Sequence, residues 1–353
     1  MSPTPPPVTR RKRQRVCMAD IARAEGVSIT AVSYVVNGRG DAMRIPAQTQ
    51  QRILARCKQM NYSRDYLAAA MASRRTQTIG VVFTNAVGDF MNEILWGIHE
   101  ALREDDQEVL LCLSEDDLAT EAEDIAMLEH RHVDGIIAFP VVGTPPSDNW
   151  QKILAKNEPP VVFVDSLPFG VEGTCVRIDD FAAGRAVAAK VAEEGLSEAV
   201  VVMPKREAPT LHERVAGFTL GAGQAGIRII GSFSDPDDPA LHELVARRER
   251  PAAFFSPIGT ALLKPLRAVF YNGQIYEFHM MFTVGGVTEA TFLRNRWWML
   301  CQAARDMGRT AARILLSRIG GADGDKASTL LPSSWVCNHG TEHANGDARS
   351  ARA

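Results

Sequence analysis

From Thr78 onward, short apolar runs of four to seven residues alternate with longer stretches of helical spacing, and this alternation constrains the fold more than any other feature. Strands that alternate with helices form parallel sheets with the helices packed on their faces. Two α/β units of about 100 residues each are therefore expected. The predicted helices include 92–103, 119–130, 181–194 and 213–223. The predicted strands are 79–83, 108–113, 135–139, 161–164, 199–203, 227–233, 252–255 and 278–284.

The basic residues are concentrated at the other end of the chain. Residues 1–78 contain 14 lysines and arginines against four acidic residues, whereas residues 79–353 contain 25 against 38. A small basic segment joined to a large acidic body indicates a module that binds a polyanion. Residues 10–15 taken alone are better explained as a disordered basic tail, but the basic residues continue through segments with helical spacing.

Residues 18–37 contain two short apolar stripes of helical spacing, separated by Gly26. Gly26 is expected to end the first helix in the left-handed conformation, which only glycine adopts at low cost. Ser28 is a suitable N-cap for the second helix, and Ala22 is small where the two helices must approach each other closely. Within a basic segment, this combination predicts a helix-turn-helix unit that binds double-stranded DNA.

This segment resembles the lactose-repressor family of bacterial transcription regulators, because it contains G-V-S-I-T-A-V-S-Y-V-V-N at 26–37, then a third helix and N-Y at 61–62. The resemblance implies that Ile29 and Thr30 begin a recognition helix in the major groove, with Tyr34 one turn later. These side chains offer methyl contacts and single hydrogen bonds, without the bidentate grip of arginine on guanine. A packing role for Tyr34 is the alternative.

Further DNA contacts are expected from polar and basic residues around this helix. The resemblance places Ser28, Ser33 and Asn37 where the family contacts phosphates or bases, and hydroxyls near a helix N-terminus suit phosphate oxygens. Arg64 is expected to contact the DNA backbone and so to strengthen binding to all sequences alike.

The segment 63–78 corresponds to the family's hinge helix, which folds on DNA and against a partner hinge. Met71 stands where the family inserts an apolar wedge into the minor groove at the centre of the site, and methionine is among the known wedge residues. The alternative is that Leu67 and Met71 form an ordinary apolar stripe. A single alanine-rich helix this short is marginal alone, which agrees with folding on DNA.

The chain departs from the family between the second and third helices. The stretch G-R-G-D-A-M-R-I at 38–45 is about three residues longer than usual, as counted on the sequence, so the third helix is expected to be slightly displaced. That helix, at 46–60, has apolar residues spaced for one buried face: Ile53, Leu54, Cys57 and Met60.

The body matches the family in short segments that include T-I-G-V-V-F, H-V-D-G-I-I, P-V-V-F-V-D, R-V-A-G-F and D-M-G-R-T-A-A-R-I-L-L. These resemble its two-lobed effector domain, which has the architecture of periplasmic binding proteins. In open α/β sheets, ligands bind in the crevice beyond the carboxyl ends of the strands. The residues that the resemblance carries into this crevice are Asp89, Phe90, Asp165, Asp180 and Arg214.

Two interpretations of these residues remain open. Arg214 could hold hydroxyls or a carboxylate with its planar fork, and Phe90 could stack on a sugar ring. Alternatively, Asp165 and Asp180 serve helix capping or loop structure, or pair with Arg214 so that no ligand is needed.

The largest departure follows the strand at 252–255. The family has an Asn-Asp pair there, whose aspartate grips effector hydroxyls, but this chain has Ser256-Pro257-Ile258-Gly259. Simple neutral hexoses are therefore not expected to act as effectors. Since no acid in this segment neutralises Arg214, an anionic sugar derivative is favoured, and a regulator that needs no effector is the alternative.

Signals for other classes of protein are weak. Gly221–Gly226 matches GxGxxG, but it closes a helix instead of following a strand, so it does not predict a nucleotide site. The six cysteines form no CxxC pair, and Cys337, His339 and His343 lie in a polar tail. No nucleophile elbow, P-loop, export signal or membrane span is recognisable. Neither an enzyme nor a cofactor or metal site is expected.

The sequence therefore predicts five segments. These are a disordered tail at 1–15, a helix-turn-helix domain at 16–62, a hinge helix and linker at 63–78, a two-lobed α/β effector-binding and dimerisation domain at 79–338, and a disordered tail at 339–353. The expected function is that of a cytoplasmic transcription regulator, most simply a repressor, which binds an operator as a homodimer under the control of a small-molecule effector. A sugar-binding transport or chemoreception protein with the same body is the alternative.

Overall fold

The computed structural model describes residues 16–62, 75–84, 88–142, 148–156, 159–205, 208–246, 252–258, 279–282, 297–322 and 328–337. The chain divides into two compact units, Met1–Thr76 and Gln77–Ala353, which we call the head and the body. The tails expected at 1–15 and 339–353 lie outside the described residues. No helix within the described ranges is long and apolar enough to cross a membrane.

The head consists of α1 (Met18–Glu25), α2 (Ile29–Val36) and α3 (Ala47–Gln59). Gly26 follows α1 with a φ of 69°, in the left-handed region. Ser28 Oγ accepts a hydrogen bond of 3.0 Å from the backbone N–H of Ala31. Both expectations for the turn between α1 and α2 are therefore confirmed.

The three helices of the head enclose a small apolar core. The expectation that Leu54 lies on the buried face of α3 is wrong, because this residue is 51% exposed. It directly follows Ile53, and consecutive residues of a helix point about 100° apart. The buried residues of this core are Ile21, Ala22, Val32, Val35 and Ile53, with Cys57 and Met60 partly buried against them.

The body is built from alternating strands and helices. In chain order they are β1 (Thr78–Phe83), α4 (Asp89–Glu104), β2 (Glu108–Leu113), α5 (Leu118–His130), β3 (Gly135–Phe139), α6 (Asp148–Lys156), β4 (Val161–Val164), β5 (Cys175–Arg177), α7 (Asp180–Glu193), β6 (Glu198–Val202), α8 (Pro209–Gln224), β7 (Arg228–Phe233), α9 (Pro239–Ala246), β8 (Ala253–Ser256), β9 (His279–Phe282), β10 (Trp297–Gln302), α10 (Ala304–Ile319), β11 (Thr329–Leu330) and β12 (Ser333–Cys337).

These elements form two sheets, one in each lobe of the body. The first sheet has the strand order β2-β1-β3-β4-β5-β11 and is parallel throughout. The second has the order β7-β6-β8-β9-β10-β12 and is parallel except where β12 runs antiparallel to β10. The chain crosses between lobes after β5, after β10 and after β11. The predicted two-lobed α/β fold is confirmed.

The eight predicted strands are present, with ends within two residues of the predicted ones. Four strands, β5, β10, β11 and β12, were not predicted: β5 and β11 are too short to show a pattern, and β10 contains the tryptophan pair Trp297-Trp298. Helix α8 begins four residues earlier than predicted, because Pro209 suits the first turn of a helix. The run Gly221–Gly226 closes α8, as expected.

Each lobe contains one pair of helices that cross at glycines. In the first lobe, a Cβ added to Gly97 of α4 would lie 1.9 Å from the carbonyl oxygen of Arg305, at the start of α10. In the second lobe, a Cβ on Gly184 of α7 would lie 1.9 Å from the carbonyl oxygen of Arg214 in α8, and one on Gly217 would lie 2.0 Å from that of Phe181. Only glycine allows this approach, which brings the first half of α7 against the middle of α8.

Candidate DNA interface and effector cleft

The N-terminal half of α2 presents its side chains to solvent. Ile29 is 54% exposed, and Thr30 is exposed beside it. Tyr34 and Ser33 are half-buried one turn later, and the Asn37 amide donates a hydrogen bond of 3.3 Å to the Ser33 hydroxyl. An exposed helix start with a polar and an apolar side chain suits insertion into a major groove.

Helix α3 is attached to the end of α1 through Glu25. Arg56 Nε donates to Glu25 Oε1 at 2.6 Å, and Arg52 Nε donates to Glu25 Oε2 at 3.1 Å. The hydrogen bond from Arg56 lowers the pKa of the Glu25 carboxyl below its ordinary value. This contact fixes α3 relative to α1 and does not involve the exposed side chains of α2.

In the body, Arg214 is the centre of a buried polar cluster. Its Nε donates to Asp180 Oδ1 at 2.7 Å and its Nη1 to the carbonyl oxygen of Pro257 at 3.0 Å, while its Nη2 lies 3.9 Å from Asp165 Oδ1. Asp180 is fully buried and Arg214 is 2% exposed. Burial raises the pKa of the Asp180 carboxyl to about 6, although the attraction of Arg214 opposes the rise.

Arg177 extends this cluster from the last residue of β5. Its Nη2 lies 3.3 Å from Asp180 Oδ2 and also donates a hydrogen bond to Glu213 on α8. Because β5 belongs to the first sheet and α8 to the second lobe, this arginine connects the two lobes. Sequence reasoning missed Arg177 and Glu213, although the spacing of three residues between Arg177 and Asp180 was visible.

Two acids, Asp165 and Asp180, thus pair with Arg214, although the segment 256–259 supplies none. The cap of α7 is Asp179 and not Asp180. The Asp179 side chain accepts a hydrogen bond of 2.8 Å from the backbone N–H of Ala182. Asp165 follows β4 with a φ of 70°, a left-handed conformation that is uncommon for residues other than glycine. The capping alternative is therefore wrong for Asp180, and the ion pairs with Arg214 that the other alternative expected are present.

A second buried carboxylate lies behind the carboxyl end of β3. Glu121 of α5 is fully buried, and its two oxygens accept hydrogen bonds from Val141 N at 2.6 Å and Trp150 Nε1 at 2.8 Å. Burial raises the pKa of Glu121 to about 7, and these two hydrogen bonds oppose the rise. Glu121 therefore joins α5 and α6 to the segment that leaves β3 toward the cleft.

Asp89 and Phe90 are the first two residues of α4 in the first lobe. Both line a cavity of about 460 Å³ at the start of α4, together with Trp96, Arg305 and Asp306, and none of Asp165, Asp180 and Arg214 lines it. The Phe90 ring meets Phe139 edge-on, with 6.4 Å between the ring centroids. The structure thus brings together three of the five expected effector residues around Arg214 and places the other two at the start of α4.

The remaining predicted site residues, Arg64 and Met71, lie outside the described residues. Within the described parts of the chain, no group of three or more histidine, cysteine, aspartate or glutamate side chains could hold a metal ion.

Two family models match the chain. The model described as bacterial regulatory proteins of the lacI family matches residues 17–65. The model described as periplasmic binding proteins and sugar binding domain of the LacI family matches residues 76–236. Together they match more than half of the chain.

The chain belongs to the LacI family. As a LacI-family protein with a helix-turn-helix head, it is a DNA-binding transcription regulator. The transport and chemoreception alternative is set aside, because residues 17–65 match regulatory proteins and not the binding-protein body alone. The departure at Ser256–Gly259 falls after residue 236, beyond both matched segments.

Relatives of this LacI-family chain are repressors and regulators of similar length. It is 25% identical over 312 residues to the HTH-type transcriptional repressor PurR of Photobacterium profundum, covering 85% of this chain and 91% of the relative. It is 24% identical over 334 residues to the probable HTH-type transcriptional regulator EndR of Paenibacillus polymyxa, covering 91% and 96%.

Solved structures show the same fold. The lac repressor dimer bound to operator and the anti-inducer ONPF superposes with a TM-score of 0.77 at 18% identity, covering 92% of this chain and 98% of that one. The transcriptional regulator CelR in complex with cellobiose gives a TM-score of 0.61 at 22% identity, covering 91% and 98%.

Proposed function

We propose that this LacI-family protein is a cytoplasmic repressor that binds a palindromic operator as a homodimer and catalyses no reaction. The observation that carries this proposal is the exposed start of α2 in a compact basic head joined to a two-lobed body. Recognition is assigned to residues of α2 and its flanks, with Arg64 on the DNA backbone and Met71 as the minor-groove wedge. The α2 residues are Ser28, Ile29, Thr30, Ser33, Tyr34 and Asn37.

The test is operator selection from random DNA with purified full-length protein. Tyr34→Ala is expected to change the preferred base at one position of each half-site, because a residue on the reading face discriminates between bases. Arg64→Ala is the control, since loss of a phosphate contact weakens all sequences alike and reduces the salt dependence of binding. An unchanged selected operator with Tyr34→Ala would show that this residue packs instead of reading DNA, and a footprint of a single half-site would contradict the homodimer.

We assign the effector site to the cleft around Arg214. The charges in this cleft narrow the chemical class of the effector. Two arginines, Arg177 and Arg214, face three carboxylates of Asp165, Asp180 and Glu213, so the cluster has an excess of negative charge. Ser256 Oγ donates to the carbonyl oxygen of Ile258 at 2.8 Å, so it closes its own turn. We therefore propose an amino sugar or a nucleoside as the effector, and not an anionic sugar derivative.

A thermal-shift screen separates the classes of effector. At 100 times its dissociation constant, a ligand stabilises the fold by about 2.7 kcal/mol. We expect a shift with amino sugars or nucleosides, and none with neutral hexoses, sugar acids or sugar phosphates. A shift with a sugar phosphate that also releases operator DNA would contradict the assignment. Silence across the whole set would favour a regulator that needs no effector.

A further inference from the structure

The segment between α2 and α3, at 38–45, is a compact turn attached to α3. Gln50 Nε2 donates to both Asp41 Oδ1 and the carbonyl oxygen of Ile45, each at 2.8 Å. Gly40 is buried, and a Cβ there would lie 2.4 Å from Gln50 Oε1. This turn is therefore held in one conformation by its contacts with the third helix.

This turn attaches Arg39 to the recognition helix. The backbone N–H of Arg39 donates to the carbonyl oxygen of Tyr34 at 2.8 Å, and its guanidinium carbon lies 5.7 Å from the centroid of the Tyr34 ring. Met43 N donates in turn to the Arg39 carbonyl oxygen at 3.1 Å. Arg39 nevertheless remains exposed to solvent. A backbone contact and a ring contact thus orient the same exposed arginine.

This arrangement places a planar pair of N–H donors beside α2. The guanidinium of Arg39 lies within cation–π distance of the Tyr34 ring. Its N–H donors lie in the guanidinium plane, where they can form a bidentate contact. In the major groove, the partner for such a pair of donors is the O6 and N7 edge of guanine. The exposed side chains of α2, Ile29 and Thr30, offer no such pair of donors.

We propose that Arg39, supported by the Tyr34 ring, is a specificity-determining residue that reads a guanine in each operator half-site. This inference rests on the proposed operator binding and adds to it a named base and a named residue of the turn between α2 and α3. Tyr34 then serves as a platform for the guanidinium as well as a reader.

The experiment compares operators selected by the full-length protein and by three variants. With Arg39→Ala, preference for guanine at one position of each half-site is expected to fall by about tenfold to a hundredfold, the usual contribution of a bidentate pair. Arg39→Lys is expected to retain the charge and lose most of that preference. Arg23→Ala removes an exposed arginine of α1, and it should keep every base preference. Melting curves establish that each variant is folded.

Gly40→Ala provides a further variant that leaves Arg39 intact. The added methyl displaces the Gln50 amide, which then no longer holds Asp41 and the Ile45 carbonyl oxygen, and the same guanine preference should therefore weaken. If Arg39→Ala weakens binding to all sequences equally, Arg39 contacts phosphate and the inference is overturned. Unchanged base preferences with Arg39→Ala would overturn it as well. If the unaltered protein selects no sequence, operator binding itself fails, which is a distinguishable result.

Discussion

Replacing Arg214 with alanine is expected to lower the free energy of unfolding of the body by about 3–5 kcal/mol at pH 8, the usual cost of breaking a buried ion pair. The change leaves the fully buried Asp180 without its 2.7 Å partner and removes the donor to the Pro257 carbonyl oxygen. Urea unfolding of the full-length protein measures the loss. The matched control is Arg228→Ala in the same lobe, whose arginine is 74% exposed and pairs with Glu198, and which should cost within about 1 kcal/mol.

The loss in Arg214→Ala should depend on pH with a definite sign. In the unaltered protein the pKa of Asp180 is about 6, above its ordinary 3.8, so its contribution to stability falls as pH rises from about 4 to 6. Without Arg214 the pKa of Asp180 rises further, and the penalty for ionising it grows above pH 6. The difference between variant and unaltered protein should therefore be smaller at pH 5 than at pH 8. A loss that is the same at both values would mean that Asp180 does not sense Arg214.

Replacing Glu121 with alanine is expected to destabilise the first lobe by about 3–5 kcal/mol at pH 5, because it leaves two buried donors, Val141 N and Trp150 Nε1, without an acceptor and opens a cavity. The matched control is Glu129→Ala, which removes another glutamate of α5 that also contacts α6. Glu129 accepts from Lys156 Nζ at 2.6 Å, but this lysine is 59% exposed. The control should cost within about 1 kcal/mol.

The pH dependence of stability reports on the same carboxylate. The pKa of Glu121 is about 7 in the folded chain against an ordinary 4.5, so the folded state binds the extra proton between these values. Its contribution to stability is thus fully present below pH 4.5 and decreases by about 3 kcal/mol as pH rises to 7. Glu121→Gln should flatten this part of the curve. A curve identical to that of the unaltered protein would mean that Glu121 titrates at its ordinary pKa.

The local features of this protein were accessible from the amino-acid sequence because each depends on contacts within one element. Helix α1 ends at Gly26, whose φ lies in the left-handed region. Helix α2 begins after Ser28, whose hydroxyl accepts a hydrogen bond from the N–H of Ala31. Eight of the twelve described strands could be placed because buried parallel strands are continuous apolar runs bounded by polar residues. The helix-turn-helix and the α/β class of the body followed from the order of these elements, and the two lobes from the resemblance of the body to the family's effector domain.

Contacts between elements were decided only by the tertiary structure. The spacing of α3 could not distinguish Leu54 from its buried neighbour Ile53, because the direction of the core depends on where α1 and α2 pack. The partners of Arg214 lie 34 residues away at Asp180 and 43 away at Pro257, and they meet it because α7 and α8 cross at glycines. Likewise, the ring beneath Arg39 and the donors around Glu121 become neighbours only when separate segments pack. Spacing along the chain determines the elements, and packing determines which charges face one another.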